Sequence, residues 1–73
     1  MENVTRIITL AGARVNAGFT QQQAAEHVNV SKNTIINWES GKTIPATDKA
    51  QELADFYQIP LQYLIFGVKS TVV

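Results

Sequence analysis

One set of polar side chains, with a single isoleucine among them, could bind the edges of nucleic-acid bases. Its members are Lys32, Asn33, Ile36, Asn37 and Ser40. In a helix over residues 32–40 they share an arc of about 140°, while Ile35 and Trp38 point the other way. Asparagine pairs bidentately with adenine, lysine donates to guanine, and isoleucine can contact a thymine methyl. The pattern predicts a base-reading face, with an ordinary solvated helix face as the alternative.

The residues before this helix predict a tight turn. Such a connection usually requires a residue with positive φ, for which glycine is the first choice and asparagine the best substitute. Asn29 stands at that position, and Ser31 is a typical N-cap for the helix that follows. Ala24 and Ala25 would let the two helices approach closely. Two short helices joined in this way form a helix-turn-helix.

The hydrophobic period is helical almost throughout the chain and predicts an all-α domain of five short helices, with no strand required. The predicted helices run from Val4 to about Ala17, from Gln21 to about Val28 behind the cap Thr20, from Lys32 to about Ser40 before Gly41, from about Thr47 to Tyr57, and from Pro60 through Ile65 before Gly67. We expect residues 1–67 to form one helix-turn-helix domain and residues 68–73 a β-prone or disordered tail.

The same periodicity predicts which side chains of the first and fourth helices face the core. In the first helix they are Val4, Ile7, Ile8, Ala11 and Val15. In the fourth helix they are Ala50, Leu53, Ala54 and Tyr57.

Composition limits the possible functions only weakly. The 73 residues suffice for one domain, and six basic side chains balance six acidic ones. This balance counts mildly against nucleic-acid binding, which usually leaves a basic surface. The chain has no cysteine, no signal-peptide pattern at its start and no apolar run long enough for a bilayer. We therefore expect a cytoplasmic protein without membrane contact.

The sequence contains no constellation of residues typical of catalysis. His27 is the single histidine, and no cysteine or paired carboxylate accompanies it at metal-ligand spacing. A surface position on the second helix is the expectation for His27, with a ligand or catalytic role as the alternative. No enzymatic activity, cofactor or metal ion is expected.

An apolar cluster at the end of the domain predicts an interaction surface. Its five members within six positions are Leu61, Tyr63, Leu64, Ile65 and Phe66. A short helix cannot turn all of them inward, because successive residues lie about 100° apart. Tyr63, Ile65 and Phe66 are the predicted dimer contacts. In the alternative, Leu61, Leu64 and Ile65 seal the monomer core and the aromatic residues lie on its surface.

Several segments in order resemble the phage repressor and Cro family (XRE-like) of helix-turn-helix proteins. The likeness covers about residues 4 to 66 and rests on Phe19-Thr20-Gln21-Gln22-Gln23-Ala24-Ala25, Val28-Asn29-Val30-Ser31, Ile35, Trp38-Glu39, Gly41-Lys42, Ile44-Pro45, Leu53-Ala54, Ile59-Pro60-Leu61 and Tyr63-Leu64. The resemblance implies a compact five-helix, lambda-repressor-like domain that binds operator DNA with its third helix in the major groove.

Carried over by position, the resemblance implies roles for particular residues. The base-reading positions hold Lys32, Asn33 and Asn37, and the positions near the DNA backbone hold Gln21, Ser31, Ser40 and Lys42. The resemblance also implies that Gln21 can brace the first side chain of the recognition helix. Arg14 and Glu39 fall where the family has an internal ion pair, and two separately exposed charges are the alternative.

Three positions depart from the family pattern. Asn29 replaces a common glycine, Ala46 a frequent capping serine, and Pro60 the usual polar cap of the fifth helix. None lies on the reading face, so they bear on local stability more than on function.

These observations together predict a sequence-specific DNA-binding transcription regulator, in the first place a repressor from a phage or a bacterium. We expect a homodimer on a palindromic operator, with no small-molecule effector. The alternative is a protein-interaction module of the same fold, such as an antitoxin or adaptor, for which DNA binding is secondary or absent.

Overall fold

The computed structural model describes residues 7–67, which form four α-helices, one 3₁₀ turn and two very short strands. In chain order the elements are β1 (Ile8–Thr9), α1 (Leu10–Ala17), α2 (Gln21–His27), α3 (Lys32–Ser40), α4 (Thr47–Tyr57), the 3₁₀ turn (Leu61–Tyr63) and β2 (Leu64–Ile65). The all-α fold class is thus confirmed. The predicted helical start at Val4 and the predicted tail at residues 68–73 lie outside the described residues.

The first helix begins later than predicted and buries a different face. Thr9 is its N-cap, because the Thr9 hydroxyl accepts a hydrogen bond of 3.0 Å from the Gly12 N–H. Ile7 therefore precedes the helix, and the predicted inward residues Ile7 and Val15 are 56% and 63% exposed. Leu10 and Ala13 are buried instead, whereas the predicted inward residue Ile8 does pack against the core, from β1 rather than from the helix. The Thr9 cap determines which residues of α1 face the core, because the extended segment ends at Thr9 and the helical period starts at Leu10.

The predicted fifth helix is wrong beyond its first turn. Only Leu61–Tyr63 are helical, as one 3₁₀ turn that follows Pro60, which is its N-cap rather than its first residue. Leu64 and Ile65 then extend as β2 and pair in parallel with β1, with Ile8 opposite Leu64 and Thr9 opposite Ile65. The backbone of β1 supplies hydrogen-bonding groups that a continuing helix would have supplied locally.

The core lies between all four α-helices. Every predicted inward residue of α4, namely Ala50, Leu53, Ala54 and Tyr57, is buried. α3 packs chiefly against α2 and also against α1, whereas α4 packs against α1 and α2. Ala24 and Ala25 are almost fully buried, so their small side chains allow α2 and α3 to approach closely. Among residues 7–67, no helix combines the length and apolar character that crossing a bilayer requires.

Candidate nucleic-acid interface

Side-chain caps define α2 and the turn that follows it. The Thr20 hydroxyl accepts a 3.0 Å hydrogen bond from the Gln23 N–H, while the Gln23 amide oxygen accepts one of 2.8 Å from the Thr20 N–H. This reciprocal capping box satisfies two backbone donors at the start of α2. At its end, Asn29 has φ 61°, the left-handed conformation predicted for this position. The chain therefore turns within residues 28–31 and continues directly into α3.

The helix α3 also has well-defined ends. The Ser31 hydroxyl accepts a 3.1 Å hydrogen bond from the Thr34 N–H and lies 2.9 Å from the Thr34 hydroxyl. Gly41 ends the helix with φ 82°, and the Lys42 N–H donates to the Asn37 carbonyl at 3.0 Å. These contacts satisfy backbone groups that helix ends otherwise leave without partners.

The two faces of α3 have opposite surroundings. Ile35 and Trp38 are buried, as predicted. On the other face Lys32, Asn33 and Ile36 are exposed and Asn37 is half-buried. The side chains of Lys32, Asn33 and Asn37 make no hydrogen bond to any residue of the described range. The outer face thus presents donors and acceptors that an external partner can use.

The residues expected near a DNA backbone differ in how far the protein already engages them. Lys42 is exposed, just beyond the end of α3. The Ser31 hydroxyl caps α3, and the Ser40 hydroxyl donates to the Asn37 carbonyl at 3.1 Å. Gln21 does not brace Lys32 by a hydrogen bond in the structure, because its Nε2 donates to Glu39 Oε1 at 3.0 Å. Part of the Gln21 amide is therefore engaged within the protein.

An internal ion pair connects α3 to α1. The Arg14 Nε donates to Glu39 Oε2 at 2.7 Å and Nη2 donates to Glu39 Oε1 at 3.3 Å, with side chains only 14% and 8% exposed. The Arg14 Nη1 donates to the Phe19 carbonyl at 2.8 Å. The structure thus has the pair that the family resemblance implies, in the two-pronged geometry that guanidinium and carboxylate favour. With Gln21 as a further donor to Glu39, three helices meet at this carboxylate.

The hydroxyl of Tyr57 lies close enough to this ion pair to be affected by it. Burial raises the pKa of Tyr57 well above its ordinary value, the Glu39 carboxylate raises it further, and Arg14 opposes both effects. The raised pKa means that the Tyr57 hydroxyl keeps its proton at pH values at which an exposed tyrosine would lose it. The ion pair and Tyr57 support α3 from its buried side and offer no group to a partner.

The balanced net charge is unevenly distributed, although the helix-turn-helix itself carries one exposed acidic residue, Glu26 of α2. Lys32 and Lys42 are exposed at the two ends of the outer face of α3, and neither takes part in an ion pair between described residues. The exposed acidic residues of the second half lie on α4, which packs on α1 and α2. They are Asp48, Glu52 and Asp55. The acidic residue of α3 itself, Glu39, is neutralised by Arg14. The outer face of α3 therefore carries only positive charge.

The predicted dimer contacts are unequally accessible. Tyr63 is exposed, whereas Ile65 and Phe66 are half-buried and Phe66 packs against the core. Leu64 is buried and Leu61 packs against the core, as in the alternative interpretation. Sequence reasoning missed Ile44, which is 64% exposed and whose Cδ1 lies 3.1 Å from where a Cβ on Gly67 would stand. A lone isoleucine in a loop has no periodicity that could have revealed its exposure.

Two further contacts were not foreseen from the sequence. His27 stacks on Phe56 with ring centroids 3.9 Å apart, and Phe56 stacks on Phe19 at 4.1 Å. Lys49 reaches from α4 to the helix-turn-helix, where its Nζ donates to the Val28 carbonyl at 2.7 Å. Both contacts join residues far apart in the chain, so no local pattern could have indicated them.

A family model described as helix-turn-helix matches residues 10–64, which is most of the chain. The match includes all four α-helices and ends within β2. No solved structure matches the chain significantly.

Three curated regulators are similar to the chain. The HTH-type transcriptional regulator ImmR of Bacillus subtilis (strain 168) is 38% identical over 56 residues, covering 77% of this chain and 44% of the regulator. The cryptic phage CTXphi transcriptional repressor RstR of Vibrio cholerae is 33% identical over 59 residues, covering 81% and 53%. The HTH-type transcriptional activator BcrR of Enterococcus faecalis is 33% identical over 54 residues, covering 74% and 26%. The chain thus spans about half the length of these relatives or less.

Proposed function

Because the chain belongs to the helix-turn-helix family, we propose that it is a sequence-specific DNA-binding transcription regulator that reads the major groove with α3. The observation that carries this proposal is the outer face of α3. The side chains of Lys32, Asn33 and Asn37 on this face have no hydrogen-bond partner among the described residues, while the buried face of the same helix is held by the core and by the Arg14–Glu39 pair. A rigid helix with unused donors and acceptors fits base recognition, which requires a defined geometry.

Each outer residue has a chemical role in this proposal. Asn33 and Asn37 pair with adenine N6 and N7, Lys32 donates to guanine O6 and N7, and Ile36 contacts a thymine methyl. A good bidentate contact contributes about 1–3 kcal/mol of discrimination against the wrong base.

The residues around α3 contact the DNA backbone in this proposal. Lys42 supplies a charge, and Ser31, Ser40 and Gln21 supply neutral groups that hold the helix in register without reading a base. Because Arg14 and Lys49 are engaged internally, few cations remain for phosphates. Affinity should therefore fall with salt less steeply than the slope of about −10 known for lac repressor.

The regulators similar to this chain include one named a repressor and one named an activator. We propose repression for this chain, because occupation of an operator needs no contact beyond those of α3 and its surroundings. A regulator of this kind acts where the DNA is, in the cytoplasm, and uses no cofactor and no catalytic step.

The proposed assembly is a homodimer on a palindromic operator. Twofold symmetry would place two recognition helices about 34 Å apart, one turn of DNA. The contact surface in this proposal is formed by Tyr63, Ile65 and Phe66, extended by Ile44. Supporting it is the exposure of Tyr63, directly before β2, and of Ile44, which lies beside Gly67 after β2, since exposed apolar side chains favour association.

Sedimentation of the protein at tens of micromolar tests the dimer. Tyr63→Glu and Ile44→Glu suit this test better than Phe66→Glu, because Phe66 also packs against the core. Both should shift the protein to monomer, whereas Val15→Glu, at an exposed apolar residue of α1, should not. A wild type that stays monomeric both free and on a palindromic duplex would rule this assembly out.

The alternative function is a protein-interaction module of the same fold, such as an antitoxin or adaptor, and the balanced net charge favours it. A gel shift against the DNA upstream of the protein's own coding sequence, together with selection from random duplexes, separates the two. A regulator should enrich duplexes of one defined sequence. An unlabelled duplex of that sequence should then compete with the labelled one for binding. If the wild type enriches no sequence, the DNA-binding proposal fails and the interaction module stands.

A further inference from the structure

Lys49 makes a contact between α4 and the helix-turn-helix that the proposed DNA contacts do not account for. Its Nζ donates to the Val28 carbonyl at 2.7 Å and lies 3.9 Å from Glu52 Oε1. Val28 is the C-cap that follows the last residue of α2, directly before the left-handed Asn29. No backbone N–H of a described residue donates to this carbonyl. Lys49 is thus the donor to the Val28 carbonyl, whereas the preceding carbonyls of Ala25 and Glu26 accept from the backbone N–H groups of Val30 and Asn29.

The chemistry of this position favours a cation. The last carbonyls of a helix have no intrahelical donor, and the helix dipole is negative at that end. A charged donor at short distance makes a stronger hydrogen bond than a neutral one. The Lys49 side chain is 30% exposed, so the contact is only partly screened by water. Lys49 therefore holds the turn against α4.

The location of this contact matters because the turn determines where α3 begins. Towards its C-terminal end, α3 is tied to α1 and α2 through Glu39, which accepts from Arg14 and Gln21. At its other end, Lys32 and Asn33 follow the turn directly. The Lys49 contact is the hydrogen bond that joins this turn to α4.

We propose that Lys49 is a positioning residue for base reading, which sets the start of α3 by holding the Val28 carbonyl. The inference rests on the proposed DNA-binding function and assigns to Lys49 a role distinct from that of the exposed lysines. Lys32 and Lys42 act on the DNA, whereas Lys49 acts on the turn. Loss of Lys49 should therefore lower sequence discrimination, and loss of a phosphate-binding lysine should lower affinity for every sequence.

The experiment compares Lys49→Met with Lys42→Met as the matched control. The probes are a duplex that the wild type selects from a random library and a scrambled duplex of the same length, each titrated at several salt concentrations. Lys49→Met should lose about tenfold in affinity for the selected duplex, the equivalent of one misaligned base contact. Its affinity for the scrambled duplex and its salt slope should stay those of the wild type.

Lys42→Met should instead lower the affinity of the protein for both duplexes and reduce the salt slope by about 1. Lys49→Arg, whose guanidinium can still donate to the carbonyl, should keep most of the discrimination. Equal losses on both duplexes with a smaller slope would make Lys49 a phosphate contact and overturn the inference. Unchanged discrimination in Lys49→Met would overturn it as well.

Folding of each variant is followed by thermal melts. If Lys49→Met does not fold, Lys49→Gln, which retains a shorter donor, is compared in its place. Should neither variant fold, Lys49 is a residue of general stability and the inference is wrong. A wild type that selects no duplex at all would contradict the proposed function itself, and the role of Lys49 would fall with it.

Discussion

The inner and outer faces of α3 differ in what they contact, although they belong to one helix of nine residues. Ile35 and Trp38 lie in the core, and Glu39 is held by Arg14. Asn33 and Asn37 on the outer face have no side-chain partner among the described residues. The difference shows that stability and recognition are assigned to separate residues only one or two positions apart, since neighbouring residues of a helix point about 100° apart.

The comparison also explains why the outer face depends on the inner one. A free helix of nine residues is marginal in water, because most helical stability in proteins comes from packing. The outer residues of α3 therefore keep their geometry only while the inner residues and the caps at Ser31 and Gly41 hold the helix. If this division is real, substitutions on the two faces should have separable effects.

The largest expected effect comes from removing the inner aromatic residue. Trp38→Ala should lower the free energy of unfolding by about 3–5 kcal/mol, because it leaves a cavity where a large side chain fills the core. Such a loss is a large part of the stability of a small domain. Urea and thermal unfolding followed by circular dichroism measure it.

Ile36→Ala is the matched control on the outer face. Its effect on unfolding should stay within about 0.5 kcal/mol, since the residue is exposed. Comparable destabilisation by the two substitutions would break the division between the faces.

The next largest effect tests how the ion pair supports the inner face. Arg14→Met should destabilise the protein by about 3 kcal/mol, because Glu39 would keep its charge in a largely buried position without its cation. Adding Glu39→Gln should recover part of the loss by removing that charge. Chemical unfolding of the single and double variants measures both steps, and Lys42→Met should leave stability nearly unchanged. A harmless Arg14→Met would mean that the pair does not stabilise α3.

Substitutions on the outer face of α3 test whether its residues affect DNA binding without affecting stability. Asn33→Ala and Asn37→Ala should each cost about 1–3 kcal/mol in discrimination between a selected and a scrambled duplex, through the loss of a bidentate base contact. Their melting temperatures should match that of the wild type, because neither side chain is bonded within the described protein. Binding isotherms and thermal melts of the same samples give both values. Unchanged affinity in both variants would remove α3 from the reading of bases.

The smallest expected effect concerns the turn that leads into α3. Asn29→Val should destabilise the protein by about 1 kcal/mol, because a β-branched residue resists the left-handed conformation at φ 61°. Asn29→Gly should be neutral or slightly stabilising. Gln58, with φ 59° at the end of α4, allows the same comparison away from the interface. Gln58→Gly should change stability without changing DNA affinity, and an Asn29→Val protein that melts like the wild type would contradict the role of the turn.

Much of the helix-turn-helix could be predicted because its signals are local. α2, α3 and α4 lie within a residue of their predicted bounds, since Thr20, Ser31 and Gly41 each act on backbone groups of their own helix. The left-handed Asn29 follows from steric rules for a single residue. The predicted inward residues of α3 and α4 are buried, because the hydrophobic period directly reflects the face that packs.

The two ends of the domain could not be predicted in the same way. The pairing of β1 with β2 joins residues from opposite ends of the chain, and apolar residues such as Leu64 and Ile65 suit a strand and a short helix equally well. Residues 64–65 become a strand rather than a helix because their backbone groups form hydrogen bonds with those of β1. The same holds for Lys49, whose partner is a carbonyl in another helix and therefore leaves no trace in the spacing of side chains.

The sequence by itself determined the family, the positions of α2, α3 and α4, the turn at Asn29 and the set of residues on the outer face of α3. Caps, periodicity and steric preference act within a few residues, so they can be read along the chain. Only the tertiary structure decided the pairing of the parallel strands and the inner face of α1. It also decided the hydrogen bonds from Gln21 to Glu39 and from Lys49 to the Val28 carbonyl. These depend on which distant groups meet when the helices pack, and each polar group then takes the partner that burial leaves within its reach.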